Sequence, residues 1–334
     1  MQNEIKSKTL LLNNRGHLNI KGYSTKMNFI YNKDKAKSFP LKLKEWNFYQ
    51  FIKDKYVLQL TIGHVSYMCS VTATLINIET SEKKEINSMK PFFKPKLDLD
   101  PESNSFNEYQ AKDFYMSFEV KDNKRLLYFK GSNNRFNNVE INLEIENDIN
   151  NEKMVIATPF KKKKQFYLNY KENYYYVKGK VRFDNEIIDF DESQGLVDWG
   201  RGVWPYKHEW FWGNLTSFIN GTPFGFNIGW GFGDLSNATE NIYFYNKKAY
   251  KIEQLIVQRD VKNYMNPWIL YDDEKNLYLE FQPKFNNYTE NKYIIVNTHC
   301  NQIFGNFSGY IVVDNQKIEF KNILAFIEHA VNKW

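Results

Sequence analysis

Gly195 to Asn214 reads GLVDWGRGVWPYKHEWFWGN and sets Asp198, Arg201 and His208 among Trp199, Trp204, Trp210 and Trp212. The chain has 8 tryptophans, so half of them fall in this one window. Indole surroundings strip water from a carboxyl group, which raises its pKa and keeps a proton ready for donation. Aromatic faces also stabilise positive charge that develops on a substrate. Asp198 is therefore a candidate general acid, and His208 a candidate to relay its proton or position water. Arg201 points the other way, because a guanidinium paired with Asp198 would hold the carboxylate ionised. The window is then either a structural knot or an apolar pocket containing an acid. On the pocket reading Trp199, Arg201, Trp204, Trp210 and Trp212 bind the ligand.

A second stretch, Gly221 to Gly233, reads GTPFGFNIGWGFG. Glycines at 225, 229, 231 and 233 leave one strand face bare. That face could open room for a ligand, allow a sharp bend, or let a ring lie flat on backbone. No helix follows it, which excludes a phosphate loop or dinucleotide fingerprint. Trp230 joins the candidate ligand-binding set. Glu240 and Asn241 come near the end of the next strand; Glu240 is the second candidate acid, with an exposed turn as its other reading, and Asn241 a polar ligand contact.

Other chemistries find little support. His17, His64, His299 and His329 are scattered, and no pair has zinc or iron spacing, so no metal and no cofactor are expected. There is no GxSxG elbow. Cys69 and Cys300 form no CxxC and read as buried thiols in a reducing compartment. The 45 Lys and Arg against 39 Asp and Glu give +6, too small a charge to argue for nucleic acid. No apolar run approaches the ~20 residues of a membrane span. The leucine run near the N-terminus is too short for a secretory signal. The expected location is cytoplasmic.

The elements that position these groups read as β structure. Aromatic residues make up 17% of the chain, and alternation is clear over 56–62, 139–145, 275–281 and 310–313. Lys321 to Val331 reads as a helix, since Ile323, Leu324, Phe326, Ile327, Ala330 and Val331 recur at helical spacing. Met89 to Ser105, with Pro91, Pro95 and Pro101, reads as a loop covering an opening or crossing between elements. Lys161 to Lys164 reads as a basic surface turn.

Two echoes suggest duplication. Tyr176-Val177-Lys178-Gly179, followed by Asp184-Asn185, Ile188 and Phe190, matches Phe307-Ser308-Gly309 followed by Asp314-Asn315, Ile318 and Phe320. Glu45-Trp46-Asn47-Phe48 matches Glu209-Trp210-Phe211-Trp212. The expected fold is all-β: two lipocalin-like antiparallel β-barrels in tandem, 1–194 and 195–334, with a short C-terminal helix.

Asp198-Trp199-Gly200, Trp210-Phe211-Trp212, Thr239-Glu240-Asn241 and the run Gln302-Ile303-Phe304-Gly305-Asn306-Phe307-Ser308-Gly309 carry a resemblance. The chain resembles an uncharacterised bacterial family of double lipocalin-like, calycin-type proteins. That family is distantly similar to carotenoid hydratases of the hydroxyneurosporene synthase type and to tocopherol cyclases. The resemblance implies acid-catalysed hydration, cyclisation or isomerisation of an apolar, isoprenoid or lipid-like molecule, with Asp198 as the acid. It equally implies a tryptophan stacked by an arginine as a barrel plug. A non-catalytic carrier using the same cavity, or a glycan-binding protein using the abundant tyrosines and asparagines, are the alternatives. The oligomeric state is left open.

Overall fold

Alternating β-branched and aromatic residues favour pleated surfaces, and the chain is built almost entirely from antiparallel strands. The computed structural model describes residues 2–37, 40–292 and 296–334. Two large sheets form, and each curls around its own apolar core.

The two sheets share one topology. The first begins with a meander of Leu43–Lys53, Tyr56–His64, Met68–Asn77 and Glu82–Pro91. The second begins with Lys207–Ile219, Thr222–Trp230, Ile242–Tyr245 and Lys248–Lys251. In each, the opening strand of the meander pairs with the last strand of the sheet in chain order, Ser193–Val203 or Gln316–Lys333. That strand pairs in turn with a long one, Phe166–Phe183 or Asn297–Val313, and the sheet continues through Val139–Glu146 or Leu277–Lys292. Both copies of the Asp-Asn echo are hairpin turns on these long strands. The chain crosses from the first sheet to the second between Val203 and Lys207, so the division at 194/195 falls within Ser193–Val203.

The expected C-terminal helix is instead the strand Gln316–Lys333. It lies between two neighbours and, from Leu324 to Asn332, is covered on both faces. Ala325 and Ile327 point into the second barrel, while Leu324 and Phe326 pack on the first. A strand buried on both sides loses its polar face and with it the alternation. Its apolar residues then fall at helical spacing by coincidence.

The barrels meet through their outer faces. Val57, Ile76 and Leu196 of the first sheet join Trp212, Phe304 and Phe326 of the second in one apolar cluster. Polar groups are matched across the same contact: Gln59 Nε2 donates to Gln50 Oε1 and Gln302 Oε1, each at 2.8 Å. Asn214 Nδ2 donates to Asn173 Oδ1 at 3.0 Å. Phe326 is fully buried here, so Phe326→Ala is expected to lower stability by about 3–5 kcal/mol. Urea unfolding monitored by tryptophan emission measures the loss.

Candidate functional site

The strand Ser193–Val203 has period-two alternation, and this separates the charged residues of the tryptophan-rich window. Val197, Trp199 and Arg201 face into the first barrel, whereas Leu196 and Asp198 face the second. Arg201 therefore does not pair with Asp198. Its Nη2 donates to Asp98 Oδ1 and Asn47 Oδ1, both at 2.8 Å, and its Nη1 to the Trp46 carbonyl at 2.6 Å. The guanidinium lies 4.0 Å from the Trp199 ring centre, and Trp199 Nε1 donates to the same Asp98 oxygen at 3.2 Å. The plug exists, but its acid comes from the proline-rich segment, which reaches over to cover that part of the barrel. Trp199 and Arg201 belong to this plug and do not line the pocket. The second barrel has a counterpart in Arg259, 5.0 Å from the ring centre of buried Trp268.

Asp198 opens instead on a cavity of about 240 Å³ between the barrels. Six of the eight tryptophans wall it: Trp46, Trp204, Trp210, Trp212, Trp230 and Trp334. Trp46 Nε1 donates to Asp198 Oδ2 at 3.2 Å, and Asn169 Nδ2 to Oδ1 at 2.5 Å. Gly200 makes the first bond possible, because a Cβ there would sit 2.0 Å from the Trp46 ring. Burial raises the Asp198 pKa above the ordinary carboxyl value; the charge of Lys171 and the bonds from Asn169 and Trp46 oppose this, and Glu240 adds to it.

A second acid, Glu328, repeats the arrangement. In the first sheet Gly200 lies opposite Trp46 and Asp198 opposite Phe48. In the second, Ala330 lies opposite Trp210 and Glu328 opposite Trp212. Trp210 Nε1 donates to Glu328 Oε1 at 2.8 Å, as Trp46 does to Asp198. Each barrel thus contributes one carboxyl group, held by one indole N–H, to the same cavity. Burial pushes Glu328 up to about 7, the bond from Trp210 opposes it, and the charge of Asp198 reinforces it. The Cys300 thiol lies beside Glu328, and burial raises its pKa well above the ordinary value.

Glu240 also lines the cavity, bound to Lys171 Nζ at 2.5 Å. Lys171 Nζ stands 4.5 Å from the Trp212 ring centre, so it is held by an aromatic face as well as a carboxylate. Gly229 leaves room for the Glu240 side chain, whose Oε2 would lie 3.1 Å from a Cβ at that position. Asn241 is not in the wall; its Oδ1 accepts from the Gly229 amide at 2.9 Å and fixes the rim.

His208 lies behind the wall. Trp334 Nε1 can only donate, so His208 Nε2 accepts, and Nδ1–H donates to the Pro205 carbonyl at 3.1 Å. Burial pushes its pKa down to about 4, which the Pro205 bond opposes and the charge of Lys44 reinforces. With both nitrogens engaged, this neutral ring braces the tryptophans and offers no path for a proton to Asp198. Among the described residues, no group of three His, Cys, Asp or Glu side chains could hold a metal ion.

A match to the family described as Domain of unknown function (DUF2804) spans residues 2–334. The chain belongs to this family. No curated protein matches it. Among solved structures it is similar to kievitone hydratase from Nectria haematococca, at 13% identity, 92% of this chain, 95% of that one and a TM-score of 0.51. It is also similar to CghA, at 8% identity, 100% of this chain, 97% of that one and a TM-score of 0.50. At these identities the likeness is one of fold, the double barrel itself.

Of the sequence candidates, Asp198, Glu240, Trp204, Trp210, Trp212 and Trp230 converge on the cavity. Sequence reasoning missed Trp46, Tyr167, Lys171, Trp334 and Glu328. The Glu-Trp echo already matched Trp46 to Trp210, but connecting either indole to its acid needed the strand pairing. Two expected outcomes test the site. Asp98→Asn breaks the buried plug and costs about 3–5 kcal/mol, while Asp198→Asn costs far less; paired urea melts compare them. Glu328 binds its proton more tightly in the folded chain, so stability falls as pH rises from the unfolded value near 4.5 to about 7. Glu328→Gln removes that fall and gains roughly 2–3 kcal/mol on wild type between pH 4 and pH 8. Parallel stability curves would mean an ordinary carboxyl.

Proposed function

We propose that this protein catalyses proton transfer to a small apolar molecule in the cavity between its barrels, by hydration, cyclisation or isomerisation of a carbon–carbon double bond. One observation carries this reading. Two water-poor carboxyl groups, Asp198 and Glu328, face one aromatic cavity, each held by an indole N–H and neither bonded to an arginine among the described residues.

The chemistry divides two roles between them. Glu328, raised to about 7, carries a proton for part of the time at neutral pH. It gives that proton to one alkene carbon. Positive charge then develops on the other carbon, against indole faces suited to stabilise it. In hydration, water bonds to the cationic carbon and releases its proton to the Asp198 carboxylate. That proton returns to Glu328, so the net change is one water added across the double bond. In isomerisation, Asp198 takes a proton from the neighbouring carbon instead. In cyclisation, a second double bond captures the cation before that proton is lost. The Lys171–Glu240 ion pair holds a fixed polar edge that orients the substrate.

Cavity size limits the substrate. Its 240 Å³ lies below the ~300–1,000 Å³ usual for pockets that enclose a drug-sized ligand. A small isoprenoid fits, and a longer one presents only its end. Such chemistry is the kind implied by the resemblance to carotenoid hydratases and tocopherol cyclases, and a hydratase shares the fold.

Incubation with a panel of small isoprenoid alkenes in ¹⁸O-labelled water, followed by mass spectrometry, reads hydration directly. Deuterium uptake from heavy water reads isomerisation and cyclisation. Asp198→Asn and Glu328→Gln are each expected to lower the rate about 10²–10⁴-fold, with ligand binding, seen as tryptophan quenching, retained. The wild-type rate falls as pH rises above about 7 and Glu328 loses its proton. Quenching without turnover would make the protein a carrier.

A further inference from the structure

The proline-rich segment has a second feature, which neither the plug nor the cavity uses. At the end of Glu82–Pro91 and directly after it the chain exposes Met89 at 53%, Phe92 at 74% and Phe93 at 38%, and Pro91 is exposed beside them. Single exposed apolar residues are common on protein surfaces. A consecutive run such as Pro91-Phe92-Phe93 is not, unless something covers it. Phe92 is also held at φ 55, the left-handed region that bulky residues avoid, with its amide donating to the Tyr67 carbonyl at 2.9 Å. The backbone accepts that conformation while the ring points to solvent.

Along this stretch of the chain the charge is of one sign. Lys90, Lys94 and Lys96 flank the aromatic pair, and no acidic residue lies between Ser88 and Leu97. The next acid, Asp98, is consumed by Arg201. Lys90 Nζ lies 5.2 Å from the Phe93 ring centre and 4.8 Å from that of Tyr109 and donates to the Gln110 carbonyl at 2.7 Å, so its charge steadies the rings, and Lys94 and Lys96 are the exposed cations beside them. The tip is firmly based: Leu97 is buried, and the Asp98 amide donates to Asn107 Oδ1 at 2.7 Å.

We propose that Met89 to Lys96 is a membrane-surface anchor that inserts Phe92 and Phe93 among the headgroups of a bilayer containing anionic lipid. Aromatic rings settle at that depth, and lysines beside them meet the diffuse negative charge of the lipid surface. The anchor inserts a loop, not a spanning element; among the described residues no helix is long and apolar enough to cross a membrane. Because Asp98 ties the segment to Arg201, the docked tip is joined to the strand that carries Asp198. The proposal stands apart from the catalytic reading, since docking needs no turnover.

Full-length protein sedimented with vesicles of phosphatidylcholine, alone or with about one-third phosphatidylglycerol, tests it. Wild type is expected to pellet with the anionic vesicles and to remain largely in solution with the neutral ones. The double variant Phe92→Ser, Phe93→Ser weakens binding at least about tenfold. Lys94→Glu with Lys96→Glu does the same at low salt, a loss that shrinks as salt rises. Circular dichroism melts check that both variants fold. Equal binding to the two vesicle types, no binding to either, or folded variants that bind like wild type would overturn the proposal.

Discussion

The alternation of one strand, Ser193–Val203, governs both halves of this structure. It is the last strand of the first sheet, and one of its faces lies against the second barrel. A side chain on such a strand faces one barrel or the other. Arg201 and Trp199 go inward, where Asp98 and Asn47 satisfy the buried guanidinium. Asp198 goes outward into the space between the barrels. A single residue of register slip would exchange the two sets, placing an unpaired arginine in the cavity. The plug thus fixes the orientation of the acid without touching it.

Duplication then supplies the rest of the site. Because both sheets follow one strand order, equivalent positions on their outer faces are brought together where the barrels meet. Trp46 and Trp210 are such positions, as are Asp198 and Glu328. Neither barrel alone lines the cavity; the barrel interiors hold apolar side chains and, in the first, a charged network around Arg201 and Arg125. The cavity therefore lies between the two barrels and is walled by both. Burial in that water-poor space raises the pKa of both acids, and the charge of Asp198 adds to the rise at Glu328, so the contact itself favours the protonated forms.

The remaining ion pair, Lys171 with Glu240, keeps this from being a plain cluster of like charges. It offsets the field of the carboxylates and fixes one edge of the cavity. The bare face of the glycine-rich strand serves the same contact. Gly229 clears space for Glu240, and the neighbouring Gly225 position is taken by Asn173 from the first barrel.

The sequence by itself determined the all-β class, the tandem duplication, and the window that holds Asp198 and half of the tryptophan wall. These are local properties, read from residue type, alternation and short repeats. It also contained the parity that separates Asp198 from Arg201, which acts only once Ser193–Val203 pairs as one strand. Three matters were decided only in the tertiary structure. Gln316–Lys333 is a strand because it pairs with Lys207–Ile219 and Asn297–Val313, and packing on both faces erased the alternation that would mark one. Arg201 chose Asp98, about a hundred positions distant, over the acid three residues away, because strand geometry outranks closeness in sequence. Glu328 became an acid of the site because its neighbours across the cavity belong to the other barrel, and desolvation is a property of the assembled contact that no linear pattern records.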